Sequence, residues 1–256
     1  MMLAIDIGNS SIVTGVYDEN DQLAFIFRIA TTHDKTSDEY AMLLHSFFEQ
    51  KGCRFNDVTG VIIASVVPTI MHRFRRMCQD YLHVTPLIVG PGIRTGLSIH
   101  YQDPKEVGAD RIANAVAAIA RYGAPCIVVD IGTATTFCCI DAKHRYRGGV
   151  IAPGAAISTA ALSNKASKLP KIELTKPASV VGKTTVASME SGTFYGHIAM
   201  IDGVVERIKG EQRLDDAKVI ATGGLAYLYA EESKQIQHLE QELTLSGLKY
   251  IYDKNQ

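Results

Sequence analysis

Apolar and polar positions along the chain fall into two series with the same grammar. Leu3-Ala4-Ile5 is a continuous apolar run that ends at Asp6-Ile7-Gly8. A short polar turn follows, then Ile12-Val13 and Val16-Tyr17. Runs of this length, bounded by Gly and small polar residues, predict buried strands. A third strand is expected over 22–29. A helix is then expected to open at Thr36, with Glu39 completing a capping box. Tyr40, Leu43, Leu44, Phe47 and Phe48 lie at helical spacing, and Gly52 stops the run. A strand over 60–67 comes next. It is followed by a helix from Pro68, with Met71, Phe74, Cys78 and Leu82 on one face, and a short strand over 86–89.

The second series repeats the first. Ile127-Val128-Val129 runs into Asp130-Ile131-Gly132, turns through hydroxyl residues and continues as Phe137-Cys138-Cys139-Ile140. A third strand over 146–151, a helix over 155–162, a longer helix over 186–209 and a strand over 218–221 follow. Asp6 and Asp130 are 124 residues apart, about half the chain. Three antiparallel strands followed by alternating helices and strands, twice over, predict an α/β fold with a mixed sheet in each half. The expected domains are 1–116 and 117–256.

Composition narrows the classes. The chain has 256 residues, 46% hydrophobic and 21% charged, which excludes a disordered chain, a coiled coil or a collagen. Net charge is -1, so neither a nucleic acid nor an anionic membrane is expected as a partner. The longest apolar runs are broken by Pro68 and Arg121, well short of the roughly 20 residues of a membrane span. The first residues, MMLAIDIGNS, lack a basic region and meet Asp6 early, so no signal peptide is expected. The five cysteines form no C-x-x-C pair and read as free, mostly buried thiols of a reducing, cytoplasmic compartment.

Chemistry concentrates at the strand ends. A carboxylate at the end of a buried strand is costly without a partner, and Asp6 and Asp130 both stand there. Gly8 and Gly132 allow tight turns with exposed backbone N–H groups, which form anion nests. Ser10, Ser11, Thr133, Thr135 and Thr136 offer further donors. The carboxylates cannot bind phosphate directly, so they imply a cation between. One such turn reads as a simple cap, whereas two in matched positions point to a nucleotide phosphate chain clamped between the halves. Thr222-Gly223-Gly224 follows a strand and can bring backbone close to a flat ring. Asp110 stands just before the helical run 112–121. A cap explains that carboxylate, but it leaves the neighbouring Arg111 unexplained, since a cation there opposes the helix dipole. Gly182-Lys183-Thr184 mimics the end of a phosphate-cradling P-loop, but the position of the required first glycine holds Pro177.

Taken in order, these segments resemble the type III pantothenate kinases. The likeness rests on DIGNS at 6–10, VGPGIRTGL at 89–97, Tyr101, EVGADRIAN at 106–114 and VVDIGTATT at 128–136. It continues through GGVIAPG at 148–154, GKTT at 182–185, ATGGLA at 221–226 and LTLSGLKYIYDKN at 243–255. The resemblance implies two ribonuclease-H-like domains of the actin-like ATPase superfamily. It also implies ATP-dependent phosphorylation of pantothenate, a homodimer, and a need for magnesium and a monovalent cation, potassium or ammonium. By position, it assigns ATP to Asp6, Ile7, Gly8, Asn9, Ser10, Ser11, Ile12, Val13, Thr133, Gly223 and Gly224. It makes Asp110 the general base and gives pantothenate to Tyr101, Gly108, Ala109, Asp110, Arg111 and Thr185. Metal ions fall to Asp6 (magnesium) and Asp130 (the monovalent cation). Departures from the family pattern are Ser10 where Thr is frequent, and Asp103 and Thr184 where Asn is common. The rival readings on the same fold are an ATP-binding regulator and a phosphohydrolase.

Overall fold

A computed structural model describes all residues, 1–256. In chain order it begins with β1 (Met2–Ile7), β2 (Ser11–Tyr17), β3 (Leu23–Ala30), α1 (Ser37–Gln50), β4 (Gly60–Ser65), α2 (Pro68–Tyr81) and β5 (Leu87–Ile88). It continues with β6 (Ser98–Ile99), α3 (Ala109–Tyr122), β7 (Cys126–Ile131), β8 (Ala134–Ile140), β9 (Arg145–Pro153) and α4 (Ala155–Lys165). It ends with α5 (Thr185–Gln212), β10 (Lys218–Thr222), α6 (Ala226–Tyr229), β11 (His238–Leu239) and α7 (Leu243–Asp253).

The duplicated pattern is a duplicated sheet. The first has the order β3-β2-β1-β4-β5 and the second β9-β8-β7-β10-β11, with β6 added beyond β9. In both, the first three strands are antiparallel and the next two parallel. Burial repeats residue for residue: β1 matches β7, and β2 matches β8. Even the irregularities agree, since a register shift falls between Val16 and Tyr17 and again between Cys139 and Ile140. These are the same places in the two second strands.

The first unit comprises 1–96, 103–117 and 244–256; the second comprises 97–102 and 118–243. Two segments therefore cross the 116/117 division expected from the sequence. Residues 97–102 belong with the second unit because Ser98 and Ile99 pair with Arg145 and Tyr146 of β9. Residues 244–256 belong with the first because α7 packs there against glycines. A Cβ on Gly15 would lie 3.0 Å from Leu245, and one on Gly60 only 1.8 Å from the Tyr252 hydroxyl.

The central strand of each sheet is buried on both faces, and this apolar burial drives the fold. In the first unit Leu3, Ile5 and Ile7 meet Tyr40, Leu44 and Phe74. The capping box is present: Thr36 N–H donates to Glu39 Oε2 at 2.7 Å, and Glu39 N–H donates to Thr36 Oγ1 at 3.2 Å. The buried stripe of α2 is Ile70, Phe74, Met77 and Cys78. Met71, expected on that stripe, is only half-buried. The second core joins Ile127, Val129 and Ile131 to Phe194, Ile198 and Tyr229. All five cysteines are free, and four of them are buried.

Candidate active site

The two Asp-Ile-Gly turns close in the same way at different lengths. Gly8 N–H donates to Ser11 O at 3.0 Å, and Gly132 N–H donates to Ala134 O, also at 3.0 Å. Three residues, Gly8-Asn9-Ser10, join β1 to β2, but only Gly132-Thr133 join β7 to β8. The second turn being one residue shorter corrects the reading of its hydroxyls. Thr133 is exposed at the turn, but Thr135 lies inside β8 with no exposure, and its Oγ1 is 2.9 Å from His197 Nε2. Thr135 faces the core and cannot donate to a phosphate. Burial also lowers the His197 pKa, which favours the neutral imidazole in this contact. Asn9, Ser10 and Thr133 are exposed, while the Ile7 and Ile12 side chains face the core.

Asp6 and Asp130 occupy the same half-buried place in the two sheets, opposite Val13 and Thr136 respectively. Thr222 pairs with Asp130 on the other side, and Gly223 then turns at φ +98. A Cβ there would lie 2.4 Å from Asp130 Oδ1 and 2.7 Å from Ile131 N and O. The Thr222-Gly223 bend is thus shaped around the Asp130 carboxylate, a contact invisible in the sequence reading. Gly224 is exposed beyond it. No group of three or more His, Cys, Asp or Glu is placed to hold a metal ion. A lone carboxylate beside a glycine turn, as at Asp6, is compatible with magnesium, which is commonly held through one or two carboxylates plus substrate phosphates. The Asp130 carboxylate is likewise a hard oxygen donor, the ligand type that hard cations take.

The third site starts at α3. The helix begins at Ala109, so Asp110 lies in its first turn rather than ahead of it. Gly108 leaves room for this side chain, since a Cβ would sit 2.4 Å from Asp110 Oδ1 and the carboxylate would have to shift. The carboxylate accepts the Arg111 backbone N–H, yet Oδ1 is buried with no hydrogen-bond partner. Burial raises the Asp110 pKa; the Arg111 N–H and guanidinium pull it down without cancelling that. Arg111 itself is only 6% exposed, and every residue from Arg111 to Ala118 is buried. A buried carboxylate oxygen left unpaired is costly and needs a reason. If Asp110 acts as a general base, the acid limb of kcat/KM for the phosphoryl acceptor reports its state in the free enzyme. It is expected above the roughly 3.9 of an ordinary Asp. A profile from pH 4 to 9 checks this, and a limb at the ordinary value would remove Asp110 from the base role.

The remaining assigned residues lie in the second unit. Tyr101 packs edge-on to Tyr146, with centroids 6.4 Å apart, and lies over Gly148. Thr185 is exposed at the start of α5, where Thr184 Oγ1 accepts the Ala187 N–H at 3.1 Å. Gly182-Lys183-Thr184 is therefore a helix cap and not a P-loop. Thr185 lines a cavity of about 960 Å³ together with Thr159, Leu162, Lys183, Met189 and His197.

A sheet repeated with the same strand order, with an acidic glycine turn in each copy, is the actin-like ATPase and sugar kinase fold. Solved structures agree on that fold. One is a Campylobacter jejuni protein described as a conserved candidate Baf family transcriptional activator. Its TM-score is 0.63 at 20% identity, over 99% of this chain and 98% of that one. Another is the activator of 2-hydroxyisocaproyl-CoA dehydratase from Clostridium difficile with bound ADPNP. Its TM-score is 0.54 at 12% identity, over 99% of this chain and 94% of that one. The sequence is more specific. The family model for type III pantothenate kinase matches residues 2–207. Type III pantothenate kinases from Halalkalibacterium halodurans and Brevibacillus brevis are each 55% identical over 100% of both chains. The chain belongs to the type III pantothenate kinase family.

Proposed function

We propose that this protein transfers the γ-phosphoryl group of ATP to the terminal hydroxyl of pantothenate, the first step of coenzyme A synthesis, with Asp110 as the base. The observation that carries the assignment is Asp110 Oδ1, buried, unpaired and kept clear by Gly108. An alcohol is far too weak an acid for a carboxylate to deprotonate beforehand. Asp110 therefore orients the hydroxyl and takes its proton late, as the bond to phosphorus forms. A carboxyl pKa raised by burial makes that late transfer less unfavourable. Arg111 offers the guanidinium that an anionic acceptor needs. Tyr101, Gly108, Ala109 and Thr185 complete the acceptor assignment.

The ATP phosphates are assigned to the turns at Asp6–Val13 and Thr133, and the nucleoside to Gly223-Gly224. Their backbone N–H groups and hydroxyls fit oxyanions. Asp6 would hold magnesium and Asp130 a potassium or ammonium ion; bound magnesium neutralises charge on the transferring phosphoryl. A homodimer is part of this reading. Ile157, Leu162, Val180, Val181 and Val186 are exposed apolar residues of the second unit, a pattern that favours a protein partner. A cytoplasmic location is proposed from the free thiols. No helix is long and apolar enough to cross a membrane.

ADP release from Mg-ATP, with and without pantothenate, in potassium and then in sodium, tests the reading. Pantothenate-dependent turnover enhanced by potassium is expected. Phosphate release without pantothenate would replace it with a phosphohydrolase, and no turnover in either salt would favour a nucleotide-binding regulator.

A further inference from the structure

The C-terminal segment LTLSGLKYIYDKN carries no substrate assignment, yet it is tied to the first unit at several points. Two of its contacts fall on α3, the element that bears the proposed base. Thr244 Oγ1 donates to Asn114 Oδ1 at 2.7 Å. Asn114 is 1% exposed and lies four residues after Asp110 in α3, on the same helix face one turn along. Gly247 meets α3 at the residue before it. A Cβ there would be 1.9 Å from Ala113 O and 2.5 Å from Ala113 C, backbone atoms that cannot step aside cheaply. The two elements are therefore in near-backbone contact, one helical turn from Asp110.

The far end of the segment is anchored by polar bonds. Lys249, only 7% exposed, places Nζ 2.8 Å from Asp21 Oδ1 and 2.7 Å from both Asp253 oxygens. Asn255 clasps the backbone of Arg94, accepting its N–H at 3.1 Å and donating to its carbonyl at 2.9 Å. A buried ammonium shared by two carboxylates, together with an amide clasp, fixes the helix where packing alone would let it slide. An isolated eleven-residue helix is marginal in water, so this order comes from its contacts.

We propose that α7 is a positioning strap for phosphoryl transfer: Thr244 and Gly247 hold the first turns of α3 so that the Asp110 carboxylate keeps its place. The proposal rests on Asp110 being the base. The Thr244 hydroxyl fixes which way the Asn114 amide faces, and Gly247 fixes how close α3 lies. A helix transmits a shift at residue 113 to residue 110 almost undiminished, and a misplacement of about 1 Å at reacting groups can cost on the order of 100-fold in rate.

The test is steady-state kinetics of the full-length enzyme with Thr244→Val, Thr244→Ser and Gly247→Ala, each normalised to folded protein by circular dichroism. Thr244→Val keeps the shape and removes the donor, and it should lower kcat about tenfold while KM for ATP holds. Thr244→Ser restores the hydroxyl and should recover most of kcat. Gly247→Ala should lower kcat further, and if it fails to fold, the Thr244 pair decides alone. Wild-type kcat in Thr244→Val, a loss that Thr244→Ser does not repair, or a change confined to KM for ATP would overturn the strap. Asp110→Asn is assayed alongside. If it turns over normally, the base assignment fails. If it is inactive while Thr244→Val is normal, only the strap fails.

Discussion

Asp110→Asn is expected to lower kcat by roughly 100-fold to 10,000-fold, the usual contribution of a positioned general base. KM for ATP should stay near its parent value, because the residues assigned to the nucleotide lie elsewhere in the chain. The same variant is expected to be more stable than the parent at neutral pH, an unusual pairing with lost function. The reason is the direction of the Asp110 shift. Burial raises its folded-state pKa above the unfolded one, so the native protein holds this proton to a higher pH than the unfolded chain does. Stability from this group is present below the unfolded carboxylate pKa and is lost as pH rises through the folded value. Asn carries no charge to desolvate, so its advantage should be large at pH 8 and shrink as the pH falls toward 4. Thermal unfolding of parent and variant across that range checks the sign. A variant less stable than the parent at pH 8 would show that the Asp110 carboxylate is compensated after all. Normal turnover would end its role as base.

Much of the fold was legible because periodicity reports burial. The strands at 3–7 and 127–131 stand out as apolar runs since both faces of each central strand are covered, and the capping box marks the start of α1 by its own hydrogen bonds. What escaped notice is what long-range packing decides. β6 and β11 are two residues each and, unlike β5, sit in no apolar run that would mark them. The register shifts that repeat in β2 and β8 leave no local mark. Met71 fell on the expected face of α2, but the buried stripe is rotated toward Ile70 and Met77, because the neighbouring core chooses among overlapping stripes. The candidate site divides in the same way. Asp6, Asp130 and Asp110 could be picked out as carboxylates in costly places. The role of Thr135 could not, because a hydroxyl in a TATT run gives no hint that a shorter turn moves it into β8, against His197. Nor could the reason for Gly108 and Gly223, which is the space each leaves for a carboxylate distant by two residues in one case and ninety-three in the other.

Gly223→Ala is expected to disable the nucleotide assignment in the second unit, and the cause should be collision rather than backbone strain. Two costs apply to a side chain there. The first is φ +98, a region that costs a non-glycine residue about 1–3 kcal/mol. The second is the Cβ itself, 2.4 Å from Asp130 Oδ1 and 2.7 Å from Ile131 N and O. Something must move, and Ile131 is held by the pairing of β7 with β8, while Leu225 N–H donates to Ile131 O at 3.0 Å. The carboxylate is the part that can rotate away. Losing its orientation should raise KM for ATP and flatten the response to potassium, with kcat/KM down on the order of 100-fold. Gly52→Ala separates the two costs. Gly52 also has a positive φ, +69, but nothing lies within 4 Å of its Cβ position. That variant should lose stability and keep its kinetics and its potassium response. If Gly223→Ala behaves like Gly52→Ala, less stable but kinetically normal, then the bend after β10 is only a turn. The Asp130 carboxylate would then not need the space that the glycine leaves for it.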